Sequence, residues 1–301
     1  IRWIENKMNQ KMNTILKTEG KDYVIASDTD SIYLHMGDLV DAVYKGREKT
    51  TEGIVTFLNK VCEVELEPYI ESSYQELADY VNAYDQKMIM KRENIADRGI
   101  WTAKKRYILN VWDSEGVRYE QAKLKIMGIE AIKTSTPAPC RTMLKDAFKL
   151  LMTGTEDEVI DYIEKCRSEF KNFPPEEVGF PRSVNNLQKY KGVSDIYNKG
   201  TPINVRGALL FNHYIKKNNL EHKYSAIQNG EKIRFCYLKT PNWMHENVIS
   251  YIQDLPKELD LHKHVDYDLQ FEKAFLEPIK VILNCIGWET ERKNTLESFF
   301  S

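Results

Sequence analysis

Apolar side chains recur at intervals of three and four through Ile1, Ile4, Met8, Met12 and Ile15, which predicts an amphipathic helix over residues 1–17. The pattern then changes to short β-branched and aromatic runs, Tyr23-Val24-Ile25-Ala26 and Ile32-Tyr33-Leu34, each of strand length. Helical spacing returns from about residue 50 to 83, with Phe57, Leu58, Val61 and Leu66 on one stripe. Pro68, which lacks an N–H, is expected to break or kink that helix. From Lys87 to Leu124 β-type runs dominate: Met88-Ile89-Met90, then Arg106 through Trp112, with Ser114-Glu115-Gly116 turning the chain into Val117-Arg118-Tyr119.

Two prolines in Thr134-Ser135-Thr136-Pro137-Ala138-Pro139 block regular structure and mark the expected domain boundary. Beyond them the pattern is mainly helical. Helices are expected over Met143–Met152 and Glu156–Phe170, the second carrying Val159, Ile160, Ile163 and Cys166 on one face. Phe173-Pro174-Pro175 and Gly179-Phe180-Pro181 interrupt the chain. A helix over Gly207–Lys217, a hairpin around Gly230 and a last apolar helix over Tyr267–Gly287 follow. The fold class is therefore α+β: a sheet-bearing part over 1–136, a mainly helical part over 137–288, and a short tail over 289–301. The chain starts inside a helical pattern and without methionine, so an upstream portion is expected.

With 301 residues, 42% hydrophobic and 29% charged, the composition is that of a soluble globular protein with room for two domains. The net charge of −2 hides an uneven distribution. Seven acids face one base between Lys60 and Gln86, ten bases face five acids between Lys87 and Lys125, and seven bases face only Asp195 between Pro181 and Lys217. Two separate basic segments in a near-neutral chain point to a local polyanion track. The five cysteines, Cys62, Cys140, Cys166, Cys236 and Cys285, form no short pair, which excludes a zinc motif and fits reduced cytosolic thiols. No apolar run approaches the roughly 18–20 residues of a membrane span.

Four constellations carry candidate chemistry. Asp28-Thr29-Asp30-Ser31 lies between the two short strands, where two carboxylates at a turn can converge on a hard cation such as Mg²⁺. An ordinary Asp-rich turn has the same residues. Trp101-Thr102-Ala103-Lys104-Lys105-Arg106-Tyr107 reads as a strand whose adjacent lysines point to opposite faces, one of them toward a phosphate. A solvated basic edge strand has the same pattern. In Pro181-Arg182-Ser183-Val184-Asn185-Asn186-Leu187, Ser183 can cap the following helix, and Asn204-Val205-Arg206-Gly207 adds a further base. At the end of the chain Leu296, Phe299 and Phe300 share one helical face, suited to a partner's groove or to the protein's own surface. Glu93 is an accessory carboxylate or simply the partner of a nearby base.

Taken in order, Asp28-Thr29-Asp30-Ser31, Lys104-Lys105-Arg106-Tyr107, Leu124-Lys125-Ile126-Met127-Gly128, Ser135-Thr136-Pro137, Asn204-Val205-Arg206-Gly207 and the Leu-x-x-Phe-Phe tail resemble the C-terminal part of family B DNA polymerases, most closely the replicative enzymes of T-even-like phages. The resemblance runs through nearly the whole chain. It implies a partial palm, an antiparallel sheet with helices, over 1–136, a thumb that holds duplex DNA over 137–288, and a clamp-binding tail over 289–301. Asp30 would be the main carboxylate for two Mg²⁺ ions, with Asp28 a conditional partner and Glu93 an accessory. Lys91 departs from the family pattern, which has an acid there. Lys104, Lys105, Arg106, Tyr107, Arg182, Asn185 and Arg206 would hold primer-template DNA, and Leu296, Phe299 and Phe300 would enter a sliding clamp. The motif A aspartate, the nucleotide-selecting fingers helix and an exonuclease domain are not in this sequence. The resemblance therefore implies that dNTP addition needs an N-terminal portion or subunit carrying them. A nucleotide-sugar glycosyltransferase using its DxD, and a non-catalytic DNA- and clamp-binding accessory subunit, are the competing readings at this point.

Overall fold

The computed structural model describes residues 1–292, so the tail residues Leu296, Phe299 and Phe300 lie outside the described residues. The chain divides into two units, one of Ile1–Gly99, Ala103–Lys105 and Leu109–Lys125, the other of Ile100–Thr102, Arg106–Ile108 and the chain from Ile126 onwards. Helices and antiparallel sheets occur in one chain, the α+β class that the patterning predicts.

In the first unit, helix α1 (Arg2–Leu16) buries Ile4, Met8 and Met12 completely, the i, i+4, i+8 stripe of an amphipathic helix. Those side chains pack with Tyr23 and Val24 of the first strand region and with Leu66, Ile70 and Tyr74. Asn9 fixes the register of this packing, because its Oδ1 accepts from the amides of both Tyr23 and Val24 at 2.8 Å. Strands β1 (Val24–Asp28) and β2 (Ser31–Leu34) form an antiparallel pair, followed by α2 (Gly37–Val43). The predicted helix over 50–83 is α3 (Thr51–Val61) continuing through a single π-helical turn, Cys62–Leu66, into α4 (Glu67–Tyr80). Pro68 does not break it. The Glu67 amide bonds to the Cys62 carbonyl five residues back, and the widened turn delivers Pro68 to the start of α4, where its missing N–H costs little. The same device recurs at Glu277-Pro278 below.

Strands β3 (Asn94–Ala103), β4 (Arg106–Ser114) and β5 (Val117–Met127) hydrogen-bond in that order. Glu115 and Gly116 both take positive φ, 51° and 87°, in the two-residue turn from β4 to β5. Two expectations need correction. Met88-Ile89-Met90 is not a strand; Ile89 is exposed and the run lies outside regular structure. Lys104 and Lys105 are not on opposite faces of a strand either, because they are themselves the turn between β3 and β4, with Lys105 at φ 60°. A β-type run from 94 to 112 has to reverse somewhere, and here a lysine holds the left-handed position that glycine or asparagine usually marks.

In the second unit, α5 (Ala138–Thr153) packs on α6 (Glu156–Phe170), which starts at a capping box in which Thr155 and Glu158 satisfy each other's backbone amides. A short α7 (Pro175–Val178) leads to β6 (Phe180–Ser183) and to α8 (Leu187–Tyr190). Helix α9 (Ile203–Lys217) lies against an antiparallel sheet, β6–β7–β8, whose other strands are Lys232–Tyr237 (β7) and Val248–Tyr251 (β8). Helix α10 (Tyr267–Phe271) runs through a π turn, Glu272–Leu276, into α11 (Glu277–Cys285). Phe170, Phe271 and Phe275 form an aromatic core, Phe271 stacked on Phe275 with ring centroids 4.9 Å apart and tilted against Phe170 at 5.3 Å. The hairpin expected around Gly230 does not form, because no strand lies between α9 and β7. Gly230, at φ 87°, turns the chain into β7, which pairs with β6 on one side and β8 on the other. Ser183 belongs to β6 and caps no helix; Asn186 holds the N-cap of α8 without a side-chain bond.

Gly207 sets the close approach of α9 to β8. A Cβ at that position would stand 2.8 Å from the Ser250 amide nitrogen, while Ser250 Oγ donates to the Asn204 carbonyl at 2.9 Å. Alanine ordinarily improves a helix by about 0.5–1 kcal/mol over glycine. Here Gly207→Ala should instead destabilise by roughly 1–3 kcal/mol, as overpacking against backbone does, a shift that urea unfolding would detect.

The five cysteines are unpaired. Burial pushes the thiols of Cys140 and Cys236 up to about 12, so they behave as packing groups. Among the described residues no helix is long and apolar enough to cross a membrane.

Candidate active site and nucleic-acid interface

The candidate carboxylates sit where the β1–β2 hairpin reverses. Asp28 pairs with Ser31 across the ladder, leaving Thr29 and Asp30 as the two-residue turn. Thr29 takes φ 46°, a region that β-branched residues rarely adopt, and such strain concentrates at functional sites. Local hydrogen bonds hold the tip. Thr29 Oγ1 donates to Asp28 Oδ1 at 3.1 Å, and Ser31 Oγ donates to the Asp28 carbonyl at 3.1 Å. A register shift between Val24 and Ala26 bulges β1 just before this tip.

Asp28 is partly shielded and Asp30 is exposed. The sequence did not point to the cation beside them: Lys105 Nζ, from the β3–β4 turn, lies 3.9 Å from Asp28 Oδ1. Among the described residues no third His, Cys, Asp or Glu converges with this pair to complete a metal site. Two carboxylates at one hairpin tip are the hard oxygen donors that Mg²⁺ takes, together with ligands supplied from elsewhere. Glu93 precedes β3 and is exposed. Lys125 Nζ donates to it at 3.1 Å and Asn94 Nδ2 at 3.1 Å, while Lys91 stands exposed two residues before it.

Around Lys104-Lys105-Arg106-Tyr107 the four side chains differ in kind. Lys104 and Lys105 are exposed at the turn. Arg106 is engaged: its guanidinium grips Glu130 bidentately at 3.2 and 2.8 Å and donates to the Gly128 carbonyl at 3.0 Å. Lys133 donates to the same carboxylate at 2.9 Å. Burial would raise the Glu130 pKa, but the Arg106 and Lys133 bonds outweigh it and hold the carboxyl below its ordinary value. Tyr107 is buried, its ring 6.2 Å from that of Trp101.

Farther along the chain, Arg182 is exposed on β6 and its guanidinium donates to the Ser135 carbonyl at 2.7 Å, tying it to the segment that precedes α5. Asn185 is exposed beside it. Arg206, in the first turn of α9, lies over the Tyr197 ring and donates to Asn247, while Tyr197 Oη donates to Glu246 at 2.7 Å. Asn204 Nδ2 donates to the Ser183 carbonyl at 3.0 Å, so the Arg182–Asn185 segment and the start of α9 are held side by side.

No family model matches the chain. The DNA-directed DNA polymerase of Escherichia phage RB69 is 33% identical over all of this chain and 34% of its own length. That of Enterobacteria phage T4 is 29% identical, again over the whole chain and 34% of the relative. The chain thus spans about a third of the length of the curated relatives it matches. It is homologous from end to end to the C-terminal third of the DNA-directed DNA polymerases of T4-like phages.

Proposed function

We propose that this chain is the palm-and-thumb part of a phage replicative DNA polymerase, acting in the host cytoplasm and adding dNTPs to a primer 3′-hydroxyl. The observation that carries the reading is the strained hairpin tip, with Asp28 and Asp30 at its turn, in a chain aligned end to end with polymerases. Residues 1–136 form the later part of the palm, 137–288 the thumb, and 289–301 the tail through which Leu296, Phe299 and Phe300 engage a sliding clamp. Clamp engagement raises processivity by tethering.

Asp30 and Asp28 hold Mg²⁺ together with an aspartate that this chain does not contain, and Glu93 stands by as an accessory carboxylate. When bound, two such ions lower the pKa of the attacking hydroxyl and brace the triphosphate for in-line displacement. The chain's own residues position the DNA. Lys104 and Lys105 reach the primer-template phosphates from an exposed turn. Arg106, locked to Glu130, and Tyr107, buried beside Trp101, stiffen the strand that leaves it. Arg182, Asn185 and Arg206 form the thumb's contact with the duplex. Phosphate contacts position without reading bases, as a sequence-general enzyme requires.

Mg²⁺-dependent primer extension tests the reading. This chain is assayed alone and with a protein carrying the N-terminal two-thirds of a polymerase, including motif A and the fingers. Extension should require both. Robust synthesis by this chain alone would overturn the assignment of an incomplete catalytic centre, and unchanged synthesis without it would remove it from the chemistry.

A further inference from the structure

Two turns with strained backbones meet at Asp28. Thr29, at φ 46°, and Lys105, at φ 60°, both hold the left-handed conformation without being glycine. They bring a hydroxyl at 3.1 Å and an ammonium at 3.9 Å to the same oxygen, Asp28 Oδ1. The two carboxylates of the hairpin are therefore unequal, since among the described residues no cation pairs with Asp30. Lys105 is also the more movable partner, with 64% of its side chain exposed against 25% for Asp28. An ammonium on a flexible four-carbon stem can exchange one oxygen partner for another at little cost.

We propose that Lys105 is a resident counter-cation for Asp28, which it releases to a divalent ion when nucleic-acid phosphate draws the ammonium away. The inference rests on the reading of Asp28 as a metal-holding carboxylate and gives it a regulator. Without DNA, a divalent ion must displace Lys105 to reach Asp28. With DNA bound, the ammonium is engaged elsewhere and Asp28 is free. Binding linkage is reciprocal, so the metal raises DNA affinity by the factor by which DNA raises metal affinity. Because the ammonium is largely exposed and the carboxylate only partly shielded, that factor is modest, roughly two- to fivefold. Asp30 has no such lock and contributes to metal binding with or without DNA.

The test uses the full 301-residue chain and Mn²⁺ as probe, with binding read from water-proton relaxation enhancement, alone and with a short primer-template duplex at low salt. Asp28→Asn run in parallel subtracts the ions that the DNA itself condenses. Lys105→Met should bind Mn²⁺ about two- to fivefold tighter than the unsubstituted chain without DNA, and should gain nothing further when DNA is added. Lys105→Arg, which keeps the charge, should behave like the unsubstituted chain. Equal Mn²⁺ affinity for Lys105→Met and the unsubstituted chain, with binding still weakened in Asp28→Asn, would overturn the counter-cation while sparing the metal site. Binding indifferent to Asp28→Asn would overturn both.

Discussion

Asp30→Ala in the assembled polymerase should lower the rate of nucleotide addition by about a thousandfold or more, with the unfolding midpoint unchanged. The two halves of that expectation have separate causes. Asp30 sits exposed at the second turn position, and among the described residues no side-chain hydrogen bond or ion pair holds it. Removing such a side chain typically changes stability by no more than about 0.5 kcal/mol. Its proposed work is in the transition state, where bound metal ions supply several kcal/mol of charge stabilisation and each 1.4 kcal/mol or so is tenfold in rate. Asp28→Asn should cost less, because Asp28 shares its oxygen with Lys105 and Thr29 and is proposed only as the conditional partner. Single-turnover extension with saturating dNTP separates chemistry from DNA binding. A loss of under tenfold for Asp30→Ala would place the metal-holding carboxylates elsewhere.

The difference between local and distant partners explains what the sequence made legible. The Asp28–Ser31 turn, the α6 boundaries and the α1 stripe depend on residues within four or so positions, and hydrophobic period and capping chemistry report such neighbours directly. The failures are of two kinds. Where the chain took an uncommon local solution, ordinary signals misled: a π turn absorbed Pro68, and a lysine in left-handed backbone made the β3–β4 turn without glycine, asparagine or proline. Where the partner is remote, there was no signal at all. Arg106 reads as a nucleic-acid contact beside Lys104 and Lys105, and no spacing announces that its guanidinium also pairs with Glu130, 24 positions away. Lys105 beside Asp28 joins residues from two different hairpins, which no spacing rule could pair.

The largest expected stability effect belongs to another remote pairing, at Asp113 on β4. Its side chain is only 1% exposed and stands between two arginines. Oδ1 accepts from Arg92 and from the Gly116 amide at 3.0 Å, and Oδ2 accepts from Arg118 Nε at 2.8 Å. The arginines carry the network into α3, Arg92 donating to Asn59 and Arg118 to Thr56 at 3.0 Å. One carboxylate therefore ties the segment before β3, the β4–β5 hairpin and α3 together. Asp113→Ala would strand the guanidinium of Arg92, whose side chain is only 10% exposed, and uncompensated charge of this kind typically costs about 3–5 kcal/mol. Acid should act in the same direction. Burial raises the Asp113 pKa, but the bonds from Arg118, the Gly116 amide and Arg92 outweigh it and hold the folded carboxyl below the ordinary value of 3.8. The unfolded chain then takes up the proton first, so this contribution is complete above that ordinary value and is lost as pH falls through the lower folded one. Urea titrations at neutral pH and along an acid series should show both effects. Replacing the stranded partner as well, in Asp113→Ala with Arg92→Met, should recover part of the loss, because the cost lies in the unpaired charge more than in the missing contact. A loss below about 1 kcal/mol for Asp113→Ala, in the range of exposed pairs, would show that solvent reaches the cluster and that the three elements are held by apolar packing alone.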